Sequence, residues 1–80
     1  MEFKNLDPVK TGKFIEELRK SNNLTQGEFG EKLYVTRKAV SKWETGRSVP
    51  SIDMIKKISE IFDVSIDEII SGEMKTKRDE

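Results

Sequence analysis

Residues 24–46 read LTQGEFGEKLYVTRKAVSKWETG, and two helix starts lie within them. Thr25 stands as an N-cap with Glu28 three residues on, which makes a capping box, and Leu24 and Phe29 take the positions of a hydrophobic staple. Thr36 repeats the signal with Val35 and Val40 as its staple, and Gly46 suits a left-handed position where that second helix ends. At about 100° per residue the second helix lines up Arg37, Ser41, Thr45, Lys38 and Lys42 along one side. Ala39, Val40 and Trp43 fall on the other.

Leu33 is the last core residue of the first helix and Thr36 caps the next, so only about three residues make the turn. So short a turn favours a steep crossing of roughly 90–120° over an antiparallel hairpin, which is a helix-turn-helix arrangement. Phe29, Leu33, Val35, Val40 and Trp43 then point into the angle. The cationic face projects outward.

The flanking sequence yields three more helices. "DP" places Asp7 as an N-cap and Pro8 at N1, where its missing N–H costs nothing. Phe14, Ile15 and Leu18 follow as an inward stripe, with Glu16 and Lys20 as an outer i,i+4 pair, and the helix fades near Ser21 to Asn23. Gly12 weakens its first turns by roughly 1 kcal/mol relative to Ala, which moves the expected start several residues downstream. After "RSVPS", Ser51 caps a fourth helix with Met54, Ile55, Ile58, Ile61 and Phe62 on one side. "VSIDEII" closes the series: Ser65 and Glu68 form a box, Val64 and Ile69 a staple, and Ile66 and Ile70 are left for core packing or a dimer seam. No period-two alternation or internal repeat interrupts the pattern. The expected fold is all-α, a compact five-helix bundle, with a lead-in at 1–8, the domain at 9–72 and a disordered polar tail at 73–80.

Composition excludes more than it selects. Eighty residues with 34% hydrophobic content suffice for one core, and 15 basic residues balance 15 acidic ones. Charge is nevertheless sorted along the chain: Arg37, Lys38, Lys42 and Arg47 face Glu44 alone between 36 and 50, whereas 51–80 is net acidic. Without Cys or His there is no thiolate metal site and no usual general base, so no metal, cofactor, catalytic residue or enzyme activity is expected. No apolar run approaches a membrane span and no signal peptide is evident, which points to the cytoplasm. The neighbouring acids Asp67 and Glu68 are explained by favourable charge at a helix N-terminus.

"ELRKSNNLTQGEFGEKL", "VTRKAVSKWETGRSVPS" and "FDVSIDEII", in this order and spacing, resemble the Cro and phage-repressor type of helix-turn-helix protein, the XRE family. The resemblance covers roughly Phe14 to Gly72. It implies a lambda-repressor-like five-helix domain that binds operator DNA, commonly as a two-fold dimer, and acts mostly as a transcriptional repressor. Residue by residue, it implies base-edge contacts from Arg37, Lys38, Ser41 and Lys42, and a phosphate contact from Gln26. It places Arg47 and Ser48 near the DNA backbone and pairs Arg19 with Glu44 between the first and third helices, a structural role shared by the buried anchor Trp43. Two positions depart from the family pattern: Tyr34 stands where the turn usually has Gly, and Gly30 where the second helix usually has Ala. A left-handed Tyr34 costs on the order of 1–2 kcal/mol and would distort the turn.

The chemistry of the outward face agrees. Arg and Lys donate to guanine O6 and N7, Ser bonds several bases, and the Ala39 methyl suits a thymine methyl. Gln26, Thr36 and Arg47 would fix orientation through phosphates. The expected partner is double-stranded operator DNA, bound by a homodimer that uses neither membrane nor small-molecule ligand. The competing reading is an antitoxin-like or adaptor module that keeps the fold and grips a protein partner through its Ile-rich C-terminal half.

Overall fold

The computed structural model describes residues 6–73 as five helices. They are α1 (Pro8–Ser21), α2 (Gln26–Leu33), α3 (Arg37–Glu44), α4 (Ile52–Phe62) and α5 (Ile66–Ser71). Every expected N-cap forms. Asp7, Thr25, Thr36, Ser51 and Ser65 each accept a backbone N–H of the first turn, and both capping boxes close. The tail expected at 73–80 lies outside the described residues apart from Glu73, while Leu6 of the expected lead-in packs against the core.

The helix ends share one device. Asn23, Tyr34, Gly46, Asp63 and Gly72 all adopt the left-handed conformation just past a helix. In each case the next residue's N–H bonds a carbonyl five residues back: Leu24 to Arg19, Val35 to Gly30, Arg47 to Lys42, Val64 to Ser59 and Glu73 to Glu68. These are Schellman closures, which satisfy carbonyls the helix leaves unpaired. Of the five, the sequence reading anticipated the one at Gly46.

One contiguous core joins Phe14, Ile15 and Leu18 of α1 to Phe29 and Leu33 of α2, Val40 and Trp43 of α3, Ile55 and Ile58 of α4 and Ile69 of α5. Phe29 and Phe62 stack with ring centroids 4.8 Å apart. Buried Thr11 donates its hydroxyl to the Ile69 carbonyl at 3.0 Å, which pins α5 to α1. Helix α3 packs against both α1 and α2, so its direction is set by two neighbours.

Three expectations need correction. Helix α1 starts at Pro8, where its cap Asp7 and Pro8 at N1 put it, and Gly12 does not delay that start; Gly12 is a contact residue, since a Cβ there would stand 2.1 Å from the Trp43 carbonyl oxygen. Its missing side chain lets α1 and α3 touch backbone to backbone. Ile61 does not share the buried stripe of α4 but is 44% exposed, since core contact is confined to Ile55 and Ile58 with Met54 and Phe62 at the margin. Tyr34 is left-handed at φ 60°, yet the turn is undistorted. Its N–H bonds Glu31 at 3.3 Å and Val35 bonds Gly30 at 2.9 Å, while the ring projects into solvent with the Lys57 Nζ 5.2 Å from its centroid. Gly30 serves the same turn, because a Cβ there would lie 2.7 Å from the Val35 carbonyl oxygen.

Candidate nucleic-acid interface

Helix α3 is sorted in space as it is along the chain. Val40 and Trp43 are buried against α1 and α2, and Ala39 is half-buried beside them. On the opposite side Lys38, Ser41, Lys42, Thr45 and Arg47 line one shallow depression of about 450 Å3. Two lysines, one arginine and two hydroxyls thus converge on a single concave strip. Arg37 lies outside this lining, exposed on the first turn of α3.

Local bonds hold the rim. The Thr36 hydroxyl accepts the Ala39 N–H at 3.1 Å and so caps α3 through its oxygen, a bond that does not use its O–H donor. Arg47 and Ser48 are exposed, and both backbone N–H groups turn back to the Lys42 carbonyl, at 2.9 and 3.4 Å. The segment after α3 therefore stays against the depression. Thr45, on the same side of α3 by helical spacing, joins the site as a lining residue beyond those the family resemblance implies. Its hydroxyl donates to the Ser41 carbonyl at 3.0 Å, with the Lys42 carbonyl at 3.3 Å.

The acid of this stretch is turned away from the cations. The Glu44 side chain is 5% exposed and grips Arg19 of α1 in a two-pronged pair, Nε to Oε2 at 2.6 Å and Nη2 to Oε1 at 3.1 Å. Arg19 also donates Nη1 to the Leu24 carbonyl at 3.0 Å, which anchors the start of α2. The hydrogen bond to Glu44 raises the Arg19 pKa above its ordinary value, so the guanidinium keeps its charge under all ordinary conditions. With Glu44 neutralised from another helix, the outer surface carries the charge of Arg37, Lys38, Lys42 and Arg47 undiluted.

Gln26 stands at the first position of α2, and the structure gives its side chain a partner that spacing did not reveal. Its Nε2 donates to Glu44 Oε1 at 3.0 Å. Gln26 and Glu44 are far apart in sequence and meet only because α2 and α3 cross. Of the residues expected to bind DNA, Lys38, Ser41, Lys42 and Arg47 come together in one strip, Arg37, Thr36 and Ser48 lie outside its lining, and Gln26 of α2 is joined to α3 through Glu44.

The family model described as helix-turn-helix matches residues 15–69, from the middle of α1 into α5. The transcriptional activator BcrR of Enterococcus faecalis is 49% identical over 59 residues, 74% of this chain and 29% of that protein. The antitoxin PezA of Streptococcus pneumoniae is 41% identical over 64 residues, 80% of this chain and 40% of its own length. The chain therefore spans less than half of either relative. Among solved structures, the P22 c2 repressor in complex with a synthetic operator superimposes with a TM-score of 0.73 at 25% identity, covering 79% of this chain and 96% of that one. The sorted third helix, the tight turn that sets it and the match across all five helices together make this chain a member of the helix-turn-helix family, of the Cro and phage-repressor (XRE) type.

Proposed function

We propose that the domain binds double-stranded operator DNA through α3 in the major groove and acts as a transcriptional repressor. The observation that carries the reading is the two-sided character of α3: Val40 and Trp43 lock one side into the core, and the opposite side presents a concave cationic strip. Arg37, Lys38, Ser41 and Lys42 read base edges, because donors at helical spacing match the acceptors of guanine and the mixed edge of adenine. Gln26, Thr36, Arg47 and Ser48 set the register on the phosphates, through side chains and through N–H groups at helix starts. Repression follows from occupancy of a promoter.

The protein acts in the cytoplasm as a homodimer, with α4 and α5 at the seam. Exposed Ile52 and half-buried Ile66 line an apolar groove with Asp53 and Lys56 on its rim. An acid and a base on one rim complement themselves across a two-fold axis, as an isologous interface requires. The same groove supports the second reading, an antitoxin-like or adaptor module in which it takes another protein, and the likeness to PezA favours that alternative.

Selection of bound duplexes from a random pool at near-physiological salt separates the two. An enriched inverted repeat with half-site centres about one helical turn apart is the expected result. Binding without enrichment, fading with salt alone, would refute sequence reading and leave the adaptor.

A further inference from the structure

We propose that Glu44 is a positioning residue for DNA binding, holding the Gln26 carboxamide in the geometry that meets the DNA backbone. The proposal rests on the reading of Gln26 as a phosphate contact and goes beyond the role of Glu44 as a partner of Arg19. Glu44 Oε1 accepts from two donors at once, Arg19 Nη2 at 3.1 Å and Gln26 Nε2 at 3.0 Å. Since a carboxylate only accepts, it settles which end of the Gln26 amide faces inward, and it leaves the second N–H of Nε2 as the donor for a phosphate.

A free Gln side chain loses rotamer freedom when DNA immobilises it. Here that freedom is already lost in the unbound protein, so less is given up on binding. Arg19 makes the arrangement tolerable. Its guanidinium engages both Glu44 oxygens, so the carboxylate holds the amide beside a phosphate site without a bare negative charge. Three helices thereby converge on one phosphate donor: α1 through Arg19, α2 through Gln26 and α3 through Glu44.

The test is a double-mutant cycle read in both DNA affinity and melting temperature, using the duplex most enriched from the random pool. Gln26→Ala removes the donor. Glu44→Gln removes the acceptor for Nε2, because Arg19 takes the remaining carbonyl oxygen and an amide N–H then faces Gln26, whose carboxamide must lose the bond or turn its carbonyl inward; either outcome undoes the native donor orientation. Glu44→Asp is the companion variant: it keeps the charge opposite Arg19 while drawing the acceptor back from Gln26. Each Glu44 variant is expected to weaken binding about two- to tenfold in the native background, the cost of ordering one flexible side chain. Neither should weaken it further once Gln26→Ala is present. The slope of affinity against salt should stay unchanged, since no cation is lost. Equal losses in both backgrounds would show that Glu44 acts only through the fold, and would overturn the proposal while leaving Gln26 a contact. An unchanged affinity for Gln26→Ala would refute the phosphate contact itself, and the proposal with it.

Discussion

Gly12→Ala sets helix propensity against packing, and the sign of the outcome decides between them. In an exposed helix the substitution gains about 1 kcal/mol, because glycine loses more backbone freedom on folding. At Gly12, however, the new Cβ would stand 2.1 Å from the Trp43 carbonyl oxygen and 3.1 Å from its carbon, where ordinary contact begins at 3.4 Å. Two backbones must then separate by more than 1 Å in the middle of the core. Overpacking costs 1–3 kcal/mol where flexible side chains give way, and a backbone obstacle places this case at about 3 kcal/mol. The net loss is about 2 kcal/mol, which for a domain of this size lowers the melting temperature by about 8–16 °C. Urea denaturation followed by far-ultraviolet circular dichroism measures it directly. Gly27→Ala is the matched control: its Cβ would meet nothing closer than the Thr25 hydroxyl at 3.9 Å, so it should stabilise by up to about 1 kcal/mol. A Gly12→Ala variant as stable as the native protein or more so would refute the close-approach argument.

Arg37→Ala and Lys42→Ala should each cost about 1–3 kcal/mol of operator affinity with the melting temperature unchanged, whereas Arg47→Ala should lower the slope of log affinity against log salt by about 1. Mobility-shift titrations at several salt concentrations read both effects. Arg19→Ala should destabilise the fold by about 3 kcal/mol in chemical denaturation, because Glu44 is left buried without its partner. The Lys20 hydrogen bond lowers the Glu16 pKa. That pair therefore contributes stability above the ordinary glutamate pKa and loses it as pH falls through the lowered value. The contribution is about 0.3–0.5 kcal/mol for so exposed a pair, and Glu16→Gln should erase that part of the acid-side slope in a pH series of melting curves.

The site was legible where local chemistry suffices. Hydroxyl or carboxylate caps at Asp7, Thr25, Thr36, Ser51 and Ser65 mark five helix starts, and helical spacing sorts Lys38, Ser41 and Lys42 from Val40 and Trp43. Arg47 joins that strip because the C-terminal closure of α3 folds it back, an ending that Gly46 announces. Three other helix endings were not legible. Asn23, Tyr34 and Asp63 turn left-handed at non-glycine positions: Asn and Asp tolerate that conformation better than most residues, whereas Tyr34 has no such preference and is held there by the carbonyl bond its closure makes. Gly12 misled for a related reason: propensity describes a helix alone, and this one touches another.

The amino-acid sequence by itself determined five capped amphipathic helices, a turn of three residues between the second and third, and a cationic face on the third. Each of these depends on residues within a few positions of one another, where backbone geometry alone dictates what meets. Tertiary structure alone decided that Gly12 and Gly30 are points of backbone approach, that Ile61 faces solvent, and that Gln26, Glu44 and Arg19 form one network. Those facts depend on how helices cross, and a crossing is set by the whole core at once, which no single stretch of the chain encodes.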